Sequence, residues 1–499
     1  MQLVSTEKYG RVSLTDSVSV ADPDRPSASL LGRLRRVGPA IVVAAVVLGP
    51  GSIVTASRVG CEYGYDLLWV VPVAGILMMA MTAAAMVAGV CGKETLCQAV
   101  ATSFGRPAAV LVGVAILVAI TLFQASNNNA LLMAAEGFMG DATNAETSQG
   151  VADAAVDDAG ADDDDAGAGA WTGPLALLLV NVAVVVLLVL GRRDLYRLIE
   201  RCMAVLIGAM VCAFALSMFA AAPDVTEIAA GLVPSMPDSV TSNTSGGGTV
   251  SWLSIAALMA TTFSVAAAFY QSYQVREKGW TEDELAIGLT DSVVGISTLG
   301  LITAMILVTA ASALHGVVDV ENLTSAAVVA KSLEPMFGAW ARIVFAVGVL
   351  AGAVSSFVVN AVIGGVVFSD AIGTGSKMSD IGVRRATIAS LLLGWTVAAG
   401  VAITGVDLVS FIVVAQSLCI LAFPVLAVVI VWQFQRVGPS SLVRLLAPVC
   451  WIGVVVVVLF SANTVSKLVA KYRQSASATA TESASKPPQD PKVDVDVLK

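Results

Sequence analysis

The sequence predicts an all-α polytopic membrane protein, and two observations lead to this fold class. Of the 499 residues, 57% are hydrophobic and 13% are charged, and the mean hydropathy is +0.84. Soluble domains carry about 25% charged residues, so water is not the main solvent of this chain. Apolar runs of about 20 residues recur, and each can cross a hydrocarbon core of about 30 Å. The alternating pattern of a β-barrel is absent, so these runs are predicted to be helices that satisfy their own backbone.

Eleven transmembrane spans are predicted, and the loops between them decide the orientation. In chain order the spans are 38–60, 67–90, 107–133, 172–190, 199–221, 251–275, 286–313, 338–369, 384–404, 407–433 and 442–462. Basic residues precede span 1 and follow spans 4, 6, 8 and 10: Arg33, Arg35, Arg36, Arg192, Arg193, Arg197, Arg201, Arg276, Lys278, Lys377, Arg384, Arg385, Arg436 and Arg444. These loops share one side, which the positive-inside rule makes cytoplasmic. We therefore expect a multi-pass plasma-membrane protein with a cytoplasmic N-terminus; Lys467, Lys471 and Arg473 are the exception.

The spans divide the chain into sections with distinct roles. We expect a cytoplasmic tail (1–37), spans 1–5 (38–221), an external loop (222–250), spans 6–10 (251–434), span 11 (435–463) and a disordered C-terminal tail (464–499). An external, disordered segment at 141–170 holds nine acidic and no basic residues; the rest of the chain has 28 of each, so the net charge of −9 belongs to this segment. We interpret it as a solvated spacer. The alternative is a weak collector of cations, because aspartates without fixed geometry bind them unselectively.

Several functional classes are disfavoured by composition. No basic and aromatic pattern suggests nucleic acid. The seven cysteines lack CxxC or Cys/His spacing and are interpreted as small buried residues. No set of residues resembles a catalytic triad, a P-loop or a metalloenzyme site, so we expect neither an enzyme nor a cofactor. The expected partners are membrane lipid and a small solute or ion, and the expected state is a monomer.

Span 1 contains a helix-breaking sequence in mid-membrane. It reads Gly49-Pro50-Gly51-Ser52. Pro50 lacks an N–H and glycine is a poor helix former, so a regular helix cannot continue there. Freed backbone groups at membrane depth are tolerated only around a cavity or a ligand. The sequence therefore indicates a binding site at this break, with a kink that binds nothing as the alternative.

The residues after this break resemble the natural resistance-associated macrophage protein (NRAMP) family of metal-ion transporters. The run GPGSIVTASRVGCEYGYDLLWVV at 49–71 is similar to the first broken helix of the family, which carries Asp-Pro-Gly-Asn at the break. Further similarity lies in span 8 (Leu333, Pro335, Gly338, Phe345, Ala346, Leu350, Ala351, Gly352, Ser355 and Ser356) and in span 10 (Gln416, Leu418, Phe423 and Pro424). The resemblance implies a LeuT-type fold: two inverted repeats of five helices and an added eleventh, with the substrate between the breaks of helices 1 and 6.

The metal site that the resemblance implies is altered in this sequence. Gly49 stands at the position of the family aspartate and Ser52 at that of the asparagine. In span 6, two alignments place either Ser264, Val265 and Ala266 or Phe263, Ser264 and Val265 at the family's methionine, proline and histidine, and neither restores a ligand. The histidine of a family-style proton relay is missing, since the chain's single histidine is His315 in the loop after span 7. Without Gly or Pro between Trp252 and Gly279, the sequence does not ensure a break in span 6.

The candidate site is therefore polar and uncharged. The candidate substrate-binding residues are Gly49, Ser52, Thr262, Phe263, Ser264, Gln271, Gln416 and Asn128. For Asn128 the alternative is helix–helix hydrogen bonding. Glu62, Glu136 and Asp291 are candidates for ion access or proton coupling, because acids in a membrane are functional candidates by default. The alternative for each acid is a solvated position near an interface. The identity of any metal ligand stays unknown.

Three functions compete at this point. The resemblance implies a secondary transporter of a divalent cation, and a neutral site would suit hydrated Mg²⁺ or Mn²⁺, because Mg²⁺ dehydrates reluctantly. The alternative is a transporter of a small organic solute, such as an amino acid or an organic cation, that has lost metal transport. A sensor or scaffold that transports nothing is the third possibility. A helix break at the midplane without a ligand is costly, which disfavours this last hypothesis.

Overall fold

The computed structural model describes residues 49–139, 172–190, 223–235, 247–318 and 341–485, together with 208, 212, 214–219, 221, 330 and 338. The expected N-terminal tail, the first half of span 1, most of span 5 and the acidic segment 141–170 lie outside these residues. The described part of the chain is helical, and strands are absent from it. The predicted all-α class is confirmed.

Fourteen α-helices occur in the described ranges. They are α1 (Pro50–Tyr63), α2 (Val70–Cys91), α3 (Leu96–Phe104), α4 (Arg106–Met139), α5 (Thr172–Leu190), α6 (Val225–Gly231), α7 (Gly247–Thr262), α8 (Val265–Glu277), α9 (Leu285–Leu314), α10 (Ala341–Ile372), α11 (Ile381–Thr404), α12 (Leu408–Cys419), α13 (Phe423–Val437) and α14 (Ser440–Ser485). A 3₁₀ turn, Glu282–Glu284, precedes α9.

Eight of these helices or helix pairs are long and apolar enough to cross a membrane. Within the described residues they are Val70–Cys91, Arg106–Ala135, Trp252–Glu277, Glu282–Leu314, Phe345–Ile372, Ile381–Thr404, Leu408–Val437 and Ser440–Ala470. They correspond to predicted spans 2, 3 and 6–11. Span 4 is the shorter apolar helix Thr172–Val186. Spans 1 and 5 fall partly outside the described residues, so their full lengths stay predictions.

The helix bundle has two ends, which we call the basic end and the far end and define by the residues they carry. The basic end carries Arg276, Lys377 and Arg436. The far end carries Gly64, Gly231 and His315. At the far end, the backbone N–H of Trp69 donates to the carbonyl of Gly231 at 2.9 Å, which holds α6 against the turn between α1 and α2. Asp224 caps α6, and its hydrogen bonds from Thr226 lower the pKa of the Asp224 carboxyl.

Helix α1 lies in the centre of the protein and packs against α4, α7, α9 and α12. Small residues permit this crowding. A Cβ atom at Gly60 would lie 3.0 Å from the Cβ of Ala310, so α1 and α9 approach each other closely. The small residues Ala56 and Ser57 are buried on the same helix. In a membrane, where helix association depends on packing rather than on exclusion of water, such close approach is a main source of stability.

Helix α14 extends beyond the membrane-spanning segment. It continues to Ser485, into the segment 464–499 that was expected to form a disordered tail. Residues 464–485 contain several alanines and lysines, which favour helix, and they extend a helix that already exists. Elongation then adds one hydrogen bond per residue without the cost of a new nucleus. The low-complexity composition on which the disorder prediction rested is therefore compatible with a helix.

The contact between α2 and α8 predicts the effect of one substitution. A Cβ atom at Gly89 would lie 2.7 Å from the Cγ2 of Val275 and 2.9 Å from the Cα of Ser272. Gly89→Ala should therefore lower the thermal unfolding temperature, because overpacking costs about 1–3 kcal/mol. The measurement is thermal unfolding of the detergent-solubilised protein.

Gly75→Ala is the matched control for this substitution. Gly75 lies in the same helix, and no heavy atom would come within 4 Å of a Cβ there. Both variants gain the helix preference of alanine, about 1 kcal/mol, so the difference between them isolates the overlap. Equal unfolding temperatures for the two variants would contradict the proposed close packing.

Candidate functional site

Helix α1 starts at Pro50, inside the Gly-Pro-Gly sequence where a break in span 1 is predicted. The residues before Gly49 lie outside the described ranges, so the break itself stays a prediction. Gly49 is extended (φ −78°, ψ 173°) and serves as the N-cap, and Pro50 is the first helical residue. A proline at this position is favourable because its missing N–H would have no partner within the helix. The N–H of Ser52 donates to the carbonyl of Gly49 at 3.0 Å. Gly49 and Ser52, both candidate residues, thus form the first turn of α1.

Span 6 is interrupted within the described residues, although it contains neither glycine nor proline near the interruption. Helix α7 ends at Thr262, and α8 begins at Val265 after Phe263 and Ser264. The N–H of Phe263 still donates to the carbonyl of Met259 at 2.8 Å. The hydroxyl of Thr261 donates to the carbonyl of Ala257 at 2.9 Å. Serine and threonine side chains compete with the helix for backbone partners in this way, and that competition replaces the glycine or proline that usually marks a break.

A second interruption in the described residues lies in span 10 and was not predicted. Helix α12 ends at Cys419, and α13 begins at Phe423. In between, the N–H of Leu421 donates to the carbonyl of Leu418 at 3.1 Å, three residues earlier, as in a tightened turn. Pro424 occupies the first turn of α13, where proline is tolerated. The Phe423-Pro424 pair was the sequence signal for this break.

Gln416 of α12 connects three helices near the start of α1. Its side chain packs on the backbone of α1, since a Cβ atom at Gly51 would lie 2.6 Å from the Cδ of Gln416. Its Nε2 donates to the Oγ of Ser126 on α4 at 3.0 Å. Gln416 is 2% exposed, and its Oε1 has no hydrogen-bond partner among the described residues. One carboxamide therefore contacts α1 and α4 and keeps a free acceptor.

Other buried side-chain oxygens share this property, including those of Thr82, Ser390 and Gln433. Three of them lie on helices that begin or end near a predicted or observed break. Within the described ranges, no hydrogen-bond partner is found for Thr55 Oγ1, Thr262 Oγ1 or Gln271 Oε1. Thr55 and Gln271 are 0% exposed, and Thr262 is 2% exposed. Buried polar atoms are normally paired, because an unpaired one costs about 1–3 kcal/mol. A group of such atoms beside two helix breaks is the pattern of a binding site that is ready for a ligand with hydrogen-bond donors.

Phe263 and Asn128 occupy different positions from those expected of substrate-binding side chains. A Cβ atom at Gly453 of α14 would lie 3.1 Å from the Cζ of Phe263, so this ring packs toward span 11. Asn128 donates to the carbonyl of Gln124 at 2.8 Å, and its Oδ1 accepts from Asn181 of α5 at 2.7 Å. Both side chains are occupied by helix packing. The alternative role in helix–helix hydrogen bonding applies to Asn128.

The acidic candidates lie apart from the breaks in sequence. Glu62 is half-buried near the far end of α1, and Glu136 lies on α4 with its side chain outside the described set. Asp291, on α9, is 1% exposed. The packing of α9 thus buries the Asp291 carboxylate, and its role stays a prediction. The described residues contain no group of three or more His, Cys, Asp and Glu side chains that could hold a metal ion.

The basic end of the bundle is closed by a network around Asp370. Its Oδ2 accepts from the hydroxyl of Tyr273 on α8 at 2.8 Å and from the hydroxyl of Thr95. Its Oδ1 accepts from Gln98 Nε2 at 3.2 Å. A cavity of about 380 Å³, lined partly by Thr95, Gln98, Tyr273, Arg276 and Glu277, opens beside this network. The hydrogen bonds of Asp370 thus join α3, α8 and α10 between the breaks and the surface.

Comparison with known proteins places this architecture in a class and a family. The folds of solved manganese transporters from Eremococcus coleocola are similar: one mutant structure has a TM-score of 0.66 at 18% identity and covers 91% of this chain and 90% of that one. A second structure, in complex with an aromatic bis-isothiourea substituted compound, has a TM-score of 0.64 at 19% identity and covers 92% of each chain. The chain is thus a polytopic membrane protein of LeuT-type fold, with two inverted five-helix repeats and an eleventh helix.

The family follows from the sequence match. The model of the "Natural resistance-associated macrophage protein-like" family matches residues 40–156 and 167–467, so this chain belongs to the NRAMP family. The divalent metal cation transporter MntH of Verminephrobacter eiseniae is 25% identical over 425 residues, which cover 83% of this chain and 84% of that one. The MntH of Deinococcus radiodurans is 24% identical over 348 residues, 68% and 69% of the two chains. The predicted family resemblance is confirmed.

The contact between Gly51 and Gln416 predicts a coupled pair of substitutions. Gly51→Ala should lower the thermal unfolding temperature, because the new methyl group overlaps the carboxamide of Gln416. In the double variant with Gln416→Ala the overlap is gone, so the two effects should differ from a simple sum by about 1 kcal/mol or more. The measurement is a double-mutant cycle on thermal unfolding. Additive effects would show that the two residues do not touch.

Proposed function

We propose that this protein is an NRAMP-type secondary transporter that moves a divalent metal cation across the plasma membrane by alternating access. Family membership supports the cargo, since the curated relatives named above are divalent metal cation transporters. The helix breaks support the mechanism, because interrupted helices at a repeat interface are where such transporters bind substrate. The basic residues in the loops support a cytoplasmic location for the basic end of the bundle and for the N-terminus. The proposed activity is therefore transport and not catalysis.

The chemistry of the site supports a cation that keeps much of its hydration shell. A bare divalent transition-metal ion prefers anionic or soft ligands, but positions 49 and 52 carry glycine and serine. Removing water from such an ion without charged ligands costs far more than hydroxyl groups return. The water molecules of a hydrated cation, in contrast, point hydrogen atoms outward. They can donate to neutral oxygens, which is the type of atom the site provides.

The observation that carries this proposal is the set of buried, unpartnered acceptors: Thr55 Oγ1, Thr262 Oγ1, Gln271 Oε1 and Gln416 Oε1. Each lies on a helix that borders or contains a break. Mg²⁺ fits such a set best among common divalent ions, because it holds its water most tightly, and Mn²⁺ is the second choice. Ser52 and Ser264 lie in or beside the breaks and complete the proposed site. Glu62, Glu136 and Asp291 remain proposed residues for ion access or proton coupling.

Flux into proteoliposomes tests the cargo directly. We expect uptake of Mg²⁺ and, more weakly, of Mn²⁺, with a matching calorimetric binding signal for each. If neither ion crosses or binds, while an amino acid or an organic cation does, the metal proposal is wrong and the organic-solute alternative holds. Empty liposomes and the same lipid with denatured protein give the background.

Thr262→Val tests the site while keeping the side-chain shape. The variant loses one acceptor for hydration water, so Mg²⁺ affinity should fall by about tenfold, the equivalent of one hydrogen bond to a charged group. Thr309→Val is the matched control: Thr309 is also buried, but its hydroxyl donates to the carbonyl of Met305 at 2.7 Å within α9. Equal affinity changes in the two variants would place the site elsewhere.

The double substitution Gly49→Asp with Ser52→Asn tests the link between neutral ligands and hydration. The resemblance to the family gives Asp and Asn at these positions, and a carboxylate can replace water around a transition metal. We expect the ratio of Mn²⁺ to Mg²⁺ transport to rise by about tenfold or more, because only the dehydrated ion gains from the new charge. Competition flux with both ions in one assay gives this ratio. An unchanged ratio would contradict the proposed position of the ion.

A further inference from the structure

Arg58 is a charged residue in the middle of α1 for which the mechanism above has no role. It is 6% exposed. Its Nη1 donates to the hydroxyl of Ser410 on α12 at 3.1 Å, and its Nε has no hydrogen-bond partner in the described parts of the chain. An ionised side chain at membrane depth is costly, and such residues mark ion pathways. Arg58 therefore requires a functional explanation.

The position of Arg58 on its helix relates it to the proposed site. Residues 51, 55, 58 and 62 are spaced by four, three and four, so they share one face of α1. Gly51 on this face contacts Gln416 of α12, and Arg58 contacts Ser410 of the same helix. Seven residues separate Gly51 from Arg58, which places the Cα of Arg58 about 10 Å toward the far end. Thr55, with its unpartnered hydroxyl, lies between them.

The acidic residue nearest to Ser410 in sequence is engaged elsewhere. Asp407 caps α12: its Oδ2 accepts from the N–H of Ser410 at 2.7 Å and its Oδ1 from the N–H of Val409 at 3.3 Å. The guanidinium is thus bound to a neutral hydroxyl, although a carboxylate caps the same helix end. A positive group held by one hydrogen bond to a neutral hydroxyl is released at a lower cost than a group in a buried ion pair. A buried ion pair would be much harder to separate.

We propose that Arg58 and Ser410 form the closure of the pathway between the proposed site and the far end, and that the charge of Arg58 opposes the return of the cation through it. Opening this side requires α1 and α12 to separate, which breaks one hydrogen bond. While the bond is closed, a positive charge about 10 Å from the site repels a divalent cation. The closure is argued from the contact between Arg58 and Ser410 and does not depend on the cargo. The repulsion rests on the proposed function, because it requires a cationic cargo.

Cysteine labelling tests the closure without any metal. Thr55→Cys is introduced as a reporter, and the rate of its reaction with a cationic thiol reagent is measured in detergent. The parent chain gives the background from native cysteines. Arg58→Gln in the reporter chain should raise the rate by about tenfold, because the variant loses both the charge and the charge-assisted hydrogen bond. Ser410→Ala should raise it less, since the charge stays in place.

Arg436→Gln is the matched control for loss of charge. Arg436 lies at the basic end, where it stacks on Trp432 at 4.8 Å and donates to Ser103 at 2.9 Å, so its removal should leave the labelling rate unchanged. If Arg58→Gln and Ser410→Ala both react at the rate of the reporter chain, the closure is wrong. If Arg58→Gln does not fold, as judged by size-exclusion chromatography, Ser410→Ala and Arg58→Lys decide the question alone.

Calorimetry with Mg²⁺ tests the repulsion separately. Arg58→Gln should bind Mg²⁺ about tenfold more tightly than the parent chain, and Arg58→Lys should bind with parental affinity, because lysine keeps the charge. Equal affinities in the parent chain and in Arg58→Gln would overturn the repulsion. If the parent chain binds no Mg²⁺ at all, the proposed function fails, while the labelling result still decides whether Arg58 and Ser410 form the closure.

Discussion

The structure depends on the rule that a polypeptide in lipid must satisfy its own backbone hydrogen bonds. A helix that stops in the middle of a membrane violates this rule unless other groups take over. Two spans stop in this way within the described residues, at Phe263–Ser264 and at residues 420–422, and α1 begins at Pro50 where a third stop is predicted. A proline lies in the first turn of α1 and of α13, and the hydroxyl of Thr261 bonds the backbone at the end of α7. The packing of α4, α7, α9 and α12 around α1 then encloses the freed groups in protein rather than lipid.

The fold was largely predictable, because its determinants are local in sequence. The length of the apolar runs sets the spans, and the Gly-Pro-Gly sequence sets the first break. The break in span 6 was not predictable in the same way, since a hydroxyl-rich run such as 261–264 reads equally well as a continuous helix. The break in span 10 escaped prediction for a different reason: Pro424 was recognised as part of a family motif but not as a helix start. Helix boundaries beyond the membrane, as in α14, depend on weak propensities, which makes them hard to predict from sequence.

The sequence indicates where the backbone of the candidate site lies. It does not indicate which contacts the side chains of that site make. Gly49, Ser52, Thr262, Ser264 and Gln416 were singled out from the breaks and from family motifs. The burial of the Phe263 ring against Gly453, the pairing of Asn128 with Asn181, and the contact of Gln416 with Ser126 all involve residues distant in sequence. Sequence periodicity cannot assign such contacts. Thr55 and Arg58 could have been found, because they repeat the face of Gly51 at helical spacing.

Gly453 of α14 and Phe263 at the break of span 6 lie next to each other, so an outward-facing helix is in contact with the candidate site. Helix α14 belongs to neither repeat, and many of its side chains face outward, with Ile452 57% and Leu459 62% exposed. Its position therefore responds to membrane thickness and lateral pressure, because a helix in contact with lipid tilts to match its surroundings. The ring of Phe263, which follows the last residue of α7, packs against Gly453 of this helix. Phe263, beside the break of span 6, is thus in contact with a helix many of whose other side chains face outward.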